Sequence, residues 1–182
     1  MCGIVGANLA PGAEVRLDEG VACLEHRGPD DKGTWSEGEA RLGFRRLSII
    51  DLSEAGHQPM ASPDGRYVIV FNGEIYNFQE LREALEAKGE RFRGHSDTEV
   101  LLRLFAREGL EGCLAHLRGM FAFAVWDRQE KRLSLARDRL GVKPLVYAET
   151  RADSCSARRS RRCLHWIRRF RASPTSRGST ST

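Results

Sequence analysis

No run of about 18 consecutive apolar residues occurs in the 182 positions, which leaves no segment able to cross a bilayer as a helix. The opening decapeptide MCGIVGANLA lacks a basic leading region, and glycine breaks its short apolar run, so a signal peptide is not expected. Cysteine is scarce. Cys2, Cys23, Cys113, Cys155 and Cys163 are odd in number, widely spaced and never form a CxxC pair. That pattern offers neither a disulfide framework nor a zinc site, so no metal is expected and a reducing cytoplasm is the expected compartment. Internal repeats are absent too. With 41% apolar and 30% charged residues, the composition is that of an ordinary folded domain with a real core.

What is present divides at Thr150. The net charge is +4, but Arg151 to Thr182 carry nine arginines and one acid, or +8, so the first 150 residues carry 4 − 8 = −4. A mildly acidic body, residues 1–150, is followed by a strongly basic tail, residues 151–182. Within the body, CGIVGANL reads as a short buried strand. Residues 16–26 place Leu17, Val21 and Leu24 at helical spacing, and HRGPDDKG reads as a loop. RLGFRRLSIIDL and RYVIVFNG read as strands. NFQELREALEAKG is a helix stopped by Gly89, and SDTEVLLRLFAREG is a second, with Ser96 or Asp97 as N-cap and Glu99 as the capping-box acid. GMFAFAVWDRQEKRLSLARD reads as a hairpin. Strands bracketing consecutive helices predict an α+β sandwich.

Four short stretches could carry chemistry. Cys2 becomes the first residue if Met1 is removed, and its thiol then shares a carbon skeleton with a free α-amine. An α-amine of pKa about 7.7–8 is a far better base near neutrality than lysine and can take the thiol proton; a cysteine here could equally be a buried strand residue. In NGEIYN, the Asn72 side-chain amide and the Gly73 N–H are the donor pair a tetrahedral oxyanion requires, although Asn-Gly is also the commonest hairpin turn pair. Asp97 of SDTE could accept a substrate ammonium or serve only the helix cap. Arg46 could hold a carboxylate bidentately or be a solvated strand arginine. One acid and one arginine complement a free amino acid.

Taken in order, MCGIVG, HRGPDDKG, RRLSIIDLSEAGHQPM, FNGEIYN, HSDTEV, GMFAFAVWD and ARDRLGVKPL resemble the glutaminase domain of glutamine-hydrolysing asparagine synthetase. That domain is a class II, N-terminal-nucleophile glutamine amidotransferase, and the likeness covers residues 1 to about 149. The resemblance implies a four-layer αββα sandwich, incomplete here at its C-terminal end. It implies that Cys2 attacks the glutamine side-chain amide to give a thioester and ammonia, that Asn72 and Gly73 form the oxyanion hole, and that Arg46 binds the glutamine carboxylate beside the backbone of Leu47, Ser48, Ile49 and Ile50. Glu74 and Asp97 would contact the substrate's amino end. No cofactor is implied in this domain; ATP and magnesium belong to a synthetase domain, whose SGGxDS-like loop is absent. One departure is Phe44, where the family commonly has histidine, and it reads as a packing change.

The tail departs from the family. Relatives of this kind continue with text like GGLLFASEIKALLA, a strand and a helix that close the domain. One set of synonymous codons for the tail, read two bases later, encodes GGLLFGSEIKALLALDPAVPREPDIEGLN, so residues 151–182 read as frameshifted and disordered. Loss of the closing elements is expected to leave the strand around Leu145 to Ala148 without a neighbour and to lower stability. The alternative to a working glutaminase is a catalytically silent truncated fragment. A third reading, a basic-tailed nucleic-acid binder, is not favoured, because Trp166 and Phe170 are the tail's only aromatics. The expected partners are glutamine and a synthetase domain, with neither nucleic acid nor membrane.

Overall fold

The computed structural model describes residues 2–47, 56–149 and 154–157. Among the described residues nine strands make two sheets. In one, sheet A, the order is β2 (Asp31–Glu37), β3 (Ala40–Arg46), β1 (Gly3–Asn8), β9 (Ser154–Ala157) and β8 (Val146–Glu149). In the other, sheet B, it is β4 (Met60–Ala61), β5 (Tyr67–Ile75), β6 (Gly119–Asp127) and β7 (Arg132–Arg137). Three helices accompany them: α1 (Leu17–Ala22), α2 (Phe78–Ala87) and α3 (Asp97–His116).

The alternation of side chains along each strand builds the layers. Ile4, Leu42 and Phe44 of sheet A meet Val68, Val70, Ala122, Ala124 and Trp126 of sheet B in a dry core between the sheets. The intervening residues face outward. Val5 and Ala7 pack on Leu17 and Val21 of α1, while Ile69, Phe71, Phe121 and Phe123 pack on α2 and α3 through Leu85, Val100, Leu101 and Leu104. The outcome is α1, sheet A, sheet B, then α2 with α3: the four-layer αββα sandwich. Glycine brings α1 close, since a Cβ on Gly43 would stand 2.5 Å from Val21 Cγ2.

Several local expectations shift in detail. The helix over 16–26 is shorter, α1 being followed by a 3-10 turn at Glu25–Arg27. The second long helix runs beyond Gly109 to His116, with Gly109 itself non-helical at φ 71°. Gly89 ends α2 as expected, at φ 91°. The expectation of an unpaired strand near Leu145 to Ala148 is corrected. Ser154–Ala157 inserts between β1 and β8, pairing Val5 with Ala157 and Val146 with the same residue on the other side. Ladder hydrogen bonds are made by main chain, so a gap between two exposed strand edges accepts a segment with little regard to its side chains. The rest of the basic tail lies outside the described residues.

Candidate active site

At one end of the sandwich the sheets part around a cleft of about 170 Å³. Cys2, Arg46, Leu47, Asn72, Gly73, Glu74 and Asp97 all line it. Ser48, Ile49 and Ile50 fall outside the described residues.

Cys2 precedes β1, and its half-buried sulfur meets the chain leaving β3. Leu47 N–H donates to Cys2 Sγ at 3.4 Å, and the Leu47 carbonyl lies 3.6 Å from the same sulfur. Cys113 is the contrasting thiol. Fully buried in the helical layer, it has its pKa pushed up to about 12 by that burial, with a small push from Glu108. Arg46 ends β3 and is buried, with its guanidinium against Gly56, where a Cβ would collide with Nη2. The HRGPD loop supports this corner. Gly28 lies so close to the Arg45–Arg46 backbone that a Cβ would come within 2.6 Å of it.

Strand β5 supplies the centre of the site. Its even-numbered side chains face sheet A, so Asn72 and Glu74 continue the row of Val68 and Val70 into the cleft. The N–H groups alternate likewise. Tyr76 N–H, an even one, donates to Arg118 O next to β6 at 2.8 Å. Odd-numbered N–H groups therefore face the other edge, which β4 covers only as far as Ile69. Beyond that point Phe71 N–H donates to Gln58 Oε1 at 2.6 Å and Ile75 N–H to Asp97 Oδ2 at 3.0 Å. By the same alternation Gly73 N–H lies between them on that edge, and Gly73 lines the cleft. A side chain cannot be accommodated here: a Cβ on Gly73 would run into Met120 O and the Phe121 backbone.

SDTE supplies the helix cap through Ser96 and places Asp97 at the cleft. Ser96 caps α3, accepting from Glu99 N–H at 3.3 Å, and the Glu99 carboxylate takes the N–H groups of Arg93 and Gly94. Asp97, 6% exposed, turns to the cleft. Burial pushes its pKa up to about 6 against the opposing pull of the Ile75 and Thr98 N–H groups, and the nearby Glu74 carboxylate adds to the rise. Phe44 sits in the inter-sheet core, as a packing residue should, and also lines the cleft.

Sequence reasoning assigned no role to Gly56, Gln58, Thr98, Met120 or Lys143, all of which line the cleft. The first two stand in the quoted AGHQPM stretch, but their contacts are made across the fold. Lys143 is buried and delivered by the segment joining β7 to β8. Burial alone would raise the Asp138 pKa, yet the N–H groups of Lys143, Val142 and Phe121 hold its carboxyl below the usual range and fasten that segment to β6. Among the described residues no helix is long and apolar enough to cross a membrane.

A family model described as a glutamine amidotransferase domain matches residues 1–165. Asparagine synthetase [glutamine-hydrolyzing] 1 of Bacillus subtilis is 48% identical over 153 residues, covering 81% of this chain and 24% of that protein. Asparagine synthetase [glutamine-hydrolyzing] 3 of the same organism is 44% identical over 155 residues, with 82% and 25% covered. The chain thus spans about a quarter of the length of these relatives. Among solved structures, the glutamine phosphoribosylpyrophosphate amidotransferase of B. subtilis superposes with a TM-score of 0.72 at 23% identity, covering 86% of this chain and 41% of that one, a likeness of fold. By the family model's match to residues 1–165 and by its identity to these relatives, this chain belongs to the glutamine amidotransferase domain family.

Proposed function

We propose that this domain hydrolyses glutamine to glutamate and ammonia, with Cys2 as the nucleophile. The observation that carries the reading is the convergence of a thiol, a strand-edge N–H, a buried arginine and a buried carboxylate on one cleft. Arg46 takes the α-carboxylate of glutamine; Asp97, with Glu74, takes its ammonium. The side-chain amide carbon then lies before Cys2, whose proton passes to its own α-amine once Met1 is removed. Sulfur adds to the carbonyl carbon, and the oxygen that becomes negative receives hydrogen bonds from the Asn72 side chain and the Gly73 N–H. The amine returns the proton to the leaving nitrogen, ammonia departs, and a γ-glutamyl thioester remains. Water attacks the thioester through a second oxyanion in the same hole, releasing glutamate and restoring the thiol.

Glutamine is the small-molecule partner, and the steps use only a thiol, an amine and hydrogen-bond donors, so the domain works without a cofactor. In the longer protein the ammonia passes to a synthetase domain that uses ATP and magnesium, in the reducing cytoplasm that keeps Cys2 a thiol. The test is glutamate release by the intact chain with Met1 removed. Cys2→Ala is expected to abolish it, and Asn72→Ala to lower kcat about 10²- to 10³-fold with a smaller change in KM. Retained activity in Cys2→Ala refutes the mechanism, and a folded chain with no turnover establishes the silent fragment instead.

A further inference from the structure

Gln58 is 4% exposed, and both ends of its side-chain amide are engaged. Its oxygen accepts from Phe71 N–H at 2.6 Å, and its nitrogen donates to Thr98 Oγ1 at 3.2 Å. Thr98 adjoins Asp97, whose carboxylate accepts from Ile75 N–H at 3.0 Å. These contacts close a ring: β5 at Phe71, Gln58, the first turn of α3, and β5 again at Ile75. Gly73 stands midway along the β5 side of that ring. Where β4 ends, the edge of β5 would otherwise be open, and Gln58 replaces the missing strand for one hydrogen bond before handing on to the helix. Backbone packing fixes the place of Gln58 itself, because Gly33 of β2 approaches its carbonyl so closely that a Cβ would collide with it.

We propose that Gln58 is a positioning residue that fixes the Gly73 N–H and the Asp97 carboxylate relative to one another, so that oxyanion and ammonium are held at one spacing. This rests on the roles given to Gly73 and Asp97 above. A strand edge tied on one side only can shift, and misplacement near 1 Å can cost about 10²-fold in rate. Gln58→Met keeps the volume of the side chain and removes both hydrogen bonds. Thr98→Val breaks the ring at one joint and leaves Phe71 N–H bonded.

The experiment measures both variants in the full chain, with kcat counted per site reactive toward a thiol-alkylating glutamine analogue, alongside amide hydrogen exchange of the empty protein. Gln58→Met is expected to lower kcat per reactive site about 10- to 100-fold and to raise KM. Thr98→Val should raise KM more than it lowers kcat. Exchange should quicken about tenfold in Gln58→Met at Ile75 as well as at Phe71, since loosening one side of the ring loosens the other. A residue that merely filled space would reduce the count of reactive sites without moving KM, and would leave Ile75 protected; either result overturns the proposal. A chain that turns over no glutamine yet shows coupled exchange at Phe71 and Ile75 refutes the reaction and keeps the ring.

Discussion

Replacing Asp97 by Asn is expected to make the domain more stable and its substrate binding weaker, and the opposite signs come from one cause. The carboxyl is buried, and its pKa is raised from the ordinary 3.8 to about 6. The folded state therefore holds this proton more tightly than the unfolded chain does. The contribution of Asp97 to stability is greatest below the unfolded value, falls as pH rises from about 3.8 to about 6, and is level above that. At 1.36 kcal/mol per pH unit the charged form costs ~3 kcal/mol at neutral pH. Asparagine keeps the shape and an oxygen for Ile75 N–H but carries no charge. A gain of about 1–3 kcal/mol at pH 7.5 follows, or roughly 2–10 °C in Tm for a chain of this size. The glutamine ammonium meanwhile loses a charged acceptor, worth about 1.5–3 kcal/mol, so KM should rise about 10- to 100-fold. Thermal unfolding from pH 4 to 8 and glutamine kinetics from pH 5 to 8 test both halves. Wild-type KM should climb as pH falls through about 6, where Asp97 takes up its proton, while KM of Asp97→Asn stays flat. An Asp97→Asn protein that is less stable at every pH, or that binds glutamine with unchanged KM, refutes the reasoning.

Gly56→Ala puts a methyl group where the Arg46 guanidinium lies, so KM for glutamine should rise about tenfold or more with a lesser change in kcat, measured by steady-state kinetics. Gly43→Ala sets a Cβ against Val21 and Val5, on the α1 face of sheet A rather than the face toward sheet B; overpacking of about 1–3 kcal/mol should appear in denaturant unfolding, with KM within twofold of wild type. In the native chain at pH 8, iodoacetamide should alkylate Cys2 and spare Cys113, whose buried thiol has its pKa near 12; peptide mapping reads this, and labelling of Cys113 at a comparable rate would contradict its burial.

Much of the architecture was legible along the chain because its periods are local. The continuous apolar runs around Val70 and Phe123 read as strands, one flanking helix showed its cap at Ser96 or Asp97, and the other its stop at Gly89. Cys2, Arg46, Asn72 and Asp97, each singled out by its functional group, all line one cleft. The glycines of HRGPDDKG were readable as loop residues but not as contacts. Gly28 is needed against the backbone of Arg45 and Arg46, and Gly33 against Gln58, partners that lie elsewhere in the sequence.

The sequence by itself determined which residues could be nucleophile, oxyanion donor, carboxylate partner and ammonium partner, because each role depends on functional groups that belong to single side chains and their own backbone. Tertiary structure alone decided the rest. The edge of β5 is open at Gly73 because β4 begins only at Met60, which pairs with Ile69, and covers nothing beyond it. Asp97 titrates near 6 because the sheet and Glu74 surround it. Gln58 matters because Thr98 and Phe71 arrive on either side of it. Ser154–Ala157 becomes a strand because it lies between β1 and β8 and pairs with both. Exposure, dielectric and hydrogen-bond partners are properties of neighbours in space, and the chain acquires those neighbours only on folding.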